Sequence, residues 1–211
     1  MHGGVYMQEL VVDFITSLDG FGAAEGWPGW WGFEGPEYLA WLGEQPERGY
    51  TILMGANTYR LMYRFAAEAG SSETGEPATD EDAASFELTR TSKVVFSSTL
   101  NPPLSWANTR LVSGDAVEVV REMKREGKSP MWTLGSIALC RSLLEAGLVD
   151  RFRVVVFPVI TGSTGLDRIY DGYPDVSLEM IASRTFDGRL QLLEYVPTVL
   201  EGPPGTDPQP R

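Results

Sequence analysis

A chain of 211 residues with 29 acidic against 17 basic side chains carries a formal charge of −12, the wrong sign for general attraction to nucleic acid or an anionic membrane. One cysteine, Cys140, excludes an intramolecular disulfide, and one histidine, His2 in a Gly-rich start, argues against histidine catalysis and the usual zinc sites. With no basic-then-apolar leader, no apolar run of membrane-spanning length and enough chain for one substantial core, the expectation is a single cytoplasmic domain over residues 1–200. A local pocket for one small anion remains compatible with this charge.

In chain order, Glu9 to Leu18 (ELVVDFITSL) predicts a first central strand closing on the turn pair Asp19-Gly20. Phe21 to Gly35 holds Trp27, Trp30, Trp31 and Phe33 among glycines and a proline, too Gly-rich for a regular element. Its aromatics either cap the core or form the wall of a pocket that stacks on a heterocycle. Pro36 to Gln45 fits a helix opened by proline. Tyr50 to Met54 is a second strand ending on Gly55, and Asn57 to Ala69 a helix with Asn57 or Thr58 as N-cap. Residues 70–84 are polar and acidic and read as a mobile surface insertion. Lys93 to Ser97 is a buried type of strand, Arg110 to Val112 a short one, and Ala116 to Arg125 an amphipathic helix stopped by Gly127.

The stretch from Met131 to Gly165 concentrates the functional signal. A short apolar run stops at Gly135-Ser136, Ile137 to Ala146 follows in helical register, Gly147 ends it, and Phe152 to Ile160 resumes as a strand. A glycine turn between strand and helix lets backbone N–H groups face a phosphate with no Cβ in the way. The same pattern also serves as a plain connection in an α/β domain. Strand, glycine and helix occur at Gly55 as well, so two helix starts are available to a ligand with several phosphates. Cys140 falls on the apolar side of its helix, as a small core hydrophobe.

This cadence implies a parallel sheet covered by helices, with ligands at the carboxyl ends of the strands, where Gly55, Ser97-Ser98 and Gly135-Ser136 lie. Val176 to Phe186 and Arg189 to Val196, joined at Asp187-Gly188, read as a hairpin that makes the sheet mixed. The tail over 201–211 lacks apolar character and reads as flexible.

The order of Ser17-Leu18-Asp19-Gly20, Leu53 to Tyr59, Val94 to Leu100, Trp132 to Ser136, Gly147 to Asp150 and Pro158 to Gly162 resembles the dihydrofolate reductase-like family, including the reductase domain of the bifunctional riboflavin-biosynthesis deaminase-reductase. The resemblance implies a three-layer α/β fold, with a central mixed, mostly parallel sheet, flanking helices and a C-terminal antiparallel hairpin. It implies NADPH, with NADH as the alternative, and hydride transfer to a small nitrogen heterocycle of pteridine or pyrimidine type. It sets Gly55, Asn57 and Thr58 near pyrophosphate and ribose, Ser97 and Ser98 near the adenosine phosphate, and Gly135, Ser136 and Ile137 around the pyrophosphate. Asp19 would border nicotinamide and substrate; the loop tryptophans Trp27, Trp30 and Trp31, read above as a pocket wall, and Thr133, at the position of a family substrate contact, are the further candidate substrate residues.

The departures fall on both halves, the cofactor half being kept better than the substrate half. Ala56 follows Gly55 where the family carries a base, leaving Arg60, Lys93 or Arg110 for a 2′-phosphate. The helix position of the dihydrofolate reductase acid is Tyr38, with Glu37 one residue and so about 100° away. Thr133 replaces an acidic substrate contact. Asp19, Glu37 and Tyr38 are therefore the candidate proton carriers, Asp19 against the alternative of a turn or helix cap and Glu37 against that of an ordinary first-turn acid. The competing class is a non-catalytic nucleotide or aromatic-ligand binding module on the same fold. An exposed carboxyl-terminal strand would suit a homodimer.

Overall fold

The computed structural model describes residues 7–27, 31–69, 86–127 and 129–205. The acidic insertion, Trp30 and the last six residues of the tail lie outside them. The elements are β1 (Leu10–Ser17), β2 (Phe21–Ala24), α1 (Pro36–Glu44), β3 (Thr51–Gly55), α2 (Ala56–Ala69), a short α3 over 86–90, β4 (Lys93–Phe96), β5 (Thr109–Val112), α4 (Ala116–Glu126), β6 (Met131–Thr133), α5 (Ile137–Glu145), β7 (Arg151–Phe157), β8 (Gly165–Arg168), β9 (Val176–Phe186) and β10 (Leu190–Val199).

Eight strands form one sheet in the order β5-β4-β3-β6-β1-β7-β10-β9, parallel through β7 and antiparallel thereafter. The expected three layers follow from strand alternation. Leu10, Val12 and Phe14 of β1 pack with Val120 of α4 and with Leu139, Cys140, Leu143 and Leu144 of α5. Ile15, on the opposite face, joins Tyr38, Trp41 and Leu42 of α1, while α2 covers Ile52 and Met54 through Tyr59 and Met62. The hairpin forms where expected: Asp187 and Gly188 take φ of +51° and +66°, the left-handed pair of a tight turn whose twist matches the flanking strands. Gly147 takes φ +64° at the end of α5, where its N–H and that of Leu148 bond back to Leu144 and Leu143, closing the helix as read from sequence. The outer edge of β9 exposes Leu178, Met180 and Ile181.

Three local expectations change. The Gly-rich segment after Gly20 is not wholly irregular, because Phe21–Ala24 pairs antiparallel with Gly165–Arg168 in a second, two-stranded sheet. The Phe21 ring lies against Gly165, where a Cβ would come within 2.6 Å of it, a complementarity between segments far apart in sequence. The strand read as Phe152 to Ile160 stops at Phe157, before Pro158. Finally, α2 starts at Ala56 directly off Gly55, so Asn57 and Thr58 lie inside its first turn rather than capping it.

Candidate functional site

Because β3 and β6 are neighbouring parallel strands, the turns that follow them, and the N-termini of α2 and α5, stand side by side. Gly135 and Ser136 both adopt left-handed backbone, φ +58° and +69°, which swings the Ser136 side chain across to β3. Its Oγ accepts the Gly55 N–H at 2.6 Å and shares a hydrogen bond of 2.8 Å with Thr58 Oγ1. One serine therefore sutures the two glycine turns. The Gly55 N–H is used up in doing so, whereas Ser136 gives α5 no side-chain cap, leaving first-turn N–H groups of α5 for an incoming acceptor. Behind the turn, the Cys140 thiol donates to the Gly135 carbonyl at 3.1 Å, and burial pushes it up to about 12.

A cleft of about 2100 Å³ runs from these turns past β1 to α1. It exists because the sheet splits: β1 pairs with β7 from Val11 to Ser17 but with β6 only at Leu10 and Val11. Past that point the Asp13 N–H bonds to Thr133 Oγ1 at 3.2 Å, a side-chain oxygen where a ladder carbonyl would otherwise serve. Asp13, Phe14 and Ile15 of β1 thus look across an opening at Leu134, Gly135 and Ser136.

Of the residues read from sequence, Gly55, Asn57, Thr58, Gly135, Ser136 and Ile137 all line this cleft. Ser97 and Ser98 do not; Ser97 Oγ accepts the N–H groups of Thr99 and Leu100 at 3.1 Å, a turn closing β4, whose contribution to the lining is Phe96. Trp27 lines the cleft and is half exposed, while Trp31 is buried with Tyr38, Phe157 and Phe186, so these two aromatics divide between pocket wall and core. Thr133 is fully buried and serves as the wedge at the split rather than as a surface a substrate meets.

The three candidate proton carriers are engaged elsewhere. Asp19 accepts from Ser17 Oγ at 2.7 Å and from the N–H groups of Thr161 and Gly162 at 3.2 and 2.9 Å, tying the β1–β2 turn to the segment after β7. The Ser17 hydroxyl, aided by the Gly162 and Thr161 amides against a partial desolvation cost, holds its carboxyl down at about 2. Glu37 faces the β9–β10 turn, where Oε2 accepts the Asp187 N–H at 2.8 Å. Tyr38 borders the cleft, but its ring is stacked on Trp41 and set edge-on to Phe157, and burial raises its phenol far above the ordinary value. The rotation of one helix position separates Glu37 from Tyr38, as the spacing predicts. Of the cations considered for a 2′-phosphate, Lys93 is buried and donates to the carbonyls of Leu88, Thr89 and Thr91, and Arg110 lies against Met123. Arg60 stands beside the cleft, bonded to Asn57 Oδ1 at 3.2 Å.

Sequence reading missed the charged network beneath α1. Arg153, 1 % exposed, donates from Nη2 to Asp13 Oδ2 at 2.8 Å and to Gln45 Oε1 at 3.0 Å. Its Nη1 stands 3.4 Å from Glu47 and 3.5 Å from Glu194, and its plane lies over Trp41. Arg151 joins Glu9, Glu47 and Glu194 alongside. Burial pushes the Glu47 carboxyl up, but Arg153 and Arg151 outweigh it and hold the group below the ordinary range. The available signal was a charge embedded in each of two apolar strands, Asp13 in β1 and Arg153 in β7, since such charges inside a sheet need partners.

Among the described residues no group of three His, Cys, Asp or Glu side chains is placed to hold a metal ion, and no helix is long and apolar enough to cross a membrane. The uncharacterized protein YyaP of Bacillus subtilis is 24% identical over 204 residues, covering 92% of this chain and 98% of the relative. A solved structure from Shewanella sp. PV-4, provisionally assigned to riboflavin biosynthesis, superposes with a TM-score of 0.66 at 20% identity, over 90% of this chain and 99% of that one. Dihydrofolate reductase from Enterococcus faecalis, solved with NADP(H), gives 0.55 at 14% identity over 91% and 98% of the two chains. Residues 8–192 match the RibD C-terminal domain, so the chain belongs to that family and carries a dihydrofolate reductase-like fold.

Proposed function

We propose that this protein is a cytoplasmic NADPH-dependent reductase acting on a small nitrogen heterocycle of pteridine or pyrimidine type. The observation that carries the reading is the suture of the two glycine turns by Ser136 beside the split in the sheet. The residues fit the cofactor: Gly135 takes φ +58°, a backbone conformation that disfavours a side chain, and the first-turn amides of α5 have no side-chain cap beside the start of α2. Ala56, Asn57 and Thr58 of α2 and Ser136, Ile137 and Ala138 of α5 hold the pyrophosphate, and Arg60 is the nearest cation for a 2′-phosphate. When bound, the nicotinamide supplies a hydride to an electrophilic C=N or C=O carbon. The chain's own part is to seat the two rings against each other in the opening between β1 and β6, with Phe14, Ile15, Trp27 and Trp41 excluding water.

Titration with NADPH and, separately, NADH, followed by energy transfer from tryptophan, tests the reading. Saturable NADPH binding that Gly135→Val abolishes supports it, NADH binding alone rejects the choice of cofactor, and no binding by a folded protein overturns it. The second reading, a binding module without reductase activity, draws on the engagement of Asp19, Glu37 and Tyr38 outside proton transfer. Oxidation of bound NADPH by any candidate heterocycle separates the two.

A further inference from the structure

We infer that the Asp13 carboxylate, fixed by Arg153 where β1 leaves β6, is the specificity-determining contact for substrate and selects a planar nitrogen heterocycle that presents an N–H donor. The inference rests on the reductase reading of the cleft. Asp13 shares a face of β1 with Ile15 and lines the opening, while its backbone N–H is held by Thr133 at the vertex of the split. Oδ2 takes the Arg153 Nη2 bond at 2.8 Å. Among the described residues no hydrogen bond to Oδ1 is formed, and the side chain, which lines the cleft, keeps 17% exposure. The anchor does not move, since Gln45, Glu47, Glu194 and the Trp41 face hold the guanidinium from four sides.

Neutralising Arg153 does not account for Asp13, because Glu47 and Glu194 already stand within 3.5 Å of Nη1 on the inner side. What Asp13 adds is an acceptor with no donor, walled by Ile15, Tyr38, Leu39 and Trp41. Such an oxygen is satisfied by a flat ring carrying an N–H and left unpaired by one without it, which is the condition for strong discrimination. The two arginines of the network face four carboxylates, Glu9, Asp13, Glu47 and Glu194, so this end of the cleft repels a phosphate or carboxylate and accepts a neutral or protonated ring.

The test is equilibrium binding of lumazine and of 1,3-dimethyllumazine, the same ring system with methyl groups in place of its ring N–H hydrogens, to protein saturated with NADP⁺. Lumazine is expected to bind roughly 10- to 100-fold more tightly, the worth of a hydrogen bond to a charged group. In Asp13→Asn the amide turns its carbonyl to Arg153 and its NH₂ to the ligand, donor against donor. Lumazine then falls to the affinity of its dimethyl analogue while NADP⁺ affinity stays put. Equal binding of the two pteridines by the parent, or undiminished lumazine binding by a folded Asp13→Asn, overturns the inference, and so does failure of lumazine to bind a protein that takes NADP⁺. Failure of the folded protein to bind any nicotinamide cofactor, NADH included, overturns the reductase reading, and this inference with it. Should Asp13→Asn not fold, the comparison of the two pteridines on the parent decides.

Discussion

Asp187 and Glu37 exchange hydrogen bonds across the molecule: the Asp187 N–H donates to Glu37 Oε2 at 2.8 Å, and the Glu37 N–H donates to Asp187 Oδ1 at 3.1 Å, with the Tyr38 N–H on Oδ2 at 3.2 Å. A residue from the β9–β10 turn thus does for α1 what an N-cap usually does from within the chain, the N-cap position itself being Gly35 with no side chain to offer. The absence of a side chain there is required, since a Cβ on Gly35 would overlap the Asp187 carboxylate. Because α1 walls the cleft through Tyr38, Leu39 and Trp41, the hairpin turn helps set the width of the site. Asp187→Ala is expected to lower stability by about 1 kcal/mol, a typical cap loss. Urea unfolding measures it, and Gly35→Ala should lose at least as much by displacing the same carboxylate.

A charge placed in the first turn of α2 separates cofactor binding from folding. Ala56 lines the cleft one residue beyond Gly55. Ala56→Asp adds a negative charge where the helix dipole favours it, so stability should hold or rise by about 0.5 kcal/mol. The same charge faces the pyrophosphate region, and NADPH affinity should fall at least about tenfold by like-charge repulsion. Thermal melting beside a fluorescence titration reads both; an unchanged affinity would move the cofactor away from the paired turns.

Asp19 supplies a pH-dependent part of stability with a defined sign. Its folded pKa, about 2, lies below the ordinary 3.8, so the contribution is full above about pH 4 and is lost as pH falls through about 2. Asp19→Asn keeps the side-chain shape but loses the charge that draws the Ser17 hydroxyl and the two amides. The parent should exceed the variant in melting temperature at pH 7, and the gap should close between pH 4 and pH 2. A proton donor titrating near neutrality at this position would instead produce a change around pH 6 to 7 in the same comparison.

Cys140 should be silent to a thiol reagent while the protein is folded. It is fully buried, donates to Gly135 O and carries a thiol pushed up to about 12, so thiolate is scarce and shielded at neutral pH. Its labelling rate should follow unfolding as denaturant is raised. Fast labelling in native buffer would mean that the segment under the glycine turn opens locally.

The fold was legible wherever a signal is local. The β-branched runs of β1, β3 and β7, the glycine exits at Gly55 and Gly135, the helix stop at Gly147 and the Asp187-Gly188 turn each announce themselves within a few residues, and each formed. The pairing of β2 with β8 escaped because four-residue edge strands are defined by each other and not by a pattern of their own. Of the small residues read at parallel strand ends, Gly55 and Gly135-Ser136 line the cleft and Ser97-Ser98 do not, so this pattern located two of the three turns expected to border it. The surroundings of the candidate acids were not legible, because these side chains are held by partners far along the chain, Asp13 by Arg153, Glu37 by Asp187 and Asp19 by Gly162. Matching the family's helix acid selected Glu37, whereas Asp13, an acid in the middle of an apolar strand, is among the carboxylates that line the cleft.

Replacing Arg153 should expose how far that network is balanced. The guanidinium is buried, and although burial opposes its charge, Asp13, Glu47 and Glu194 hold it more basic than usual. Arg153→Met fits the space over Trp41 but leaves Asp13 without its cation, and the nearly enclosed Glu47 and Glu194 with Arg151 alone. The expected loss is about 3–5 kcal/mol, the cost of leaving buried charge uncompensated. The double variant Arg153→Met with Glu47→Gln should recover part of it, since Glu47 is the most deeply buried of the three acids. An exposed pair supplies the contrast: Arg121 and Glu118 on α4 bridge one helical turn in solvent, and Arg121→Ala should cost at most about 0.5 kcal/mol. If Arg153→Met unfolds with no greater loss than Arg121→Ala, the acids beneath α1 reach water or become protonated at little cost, and the rigidity assigned to Asp13 fails with the network that was to provide it.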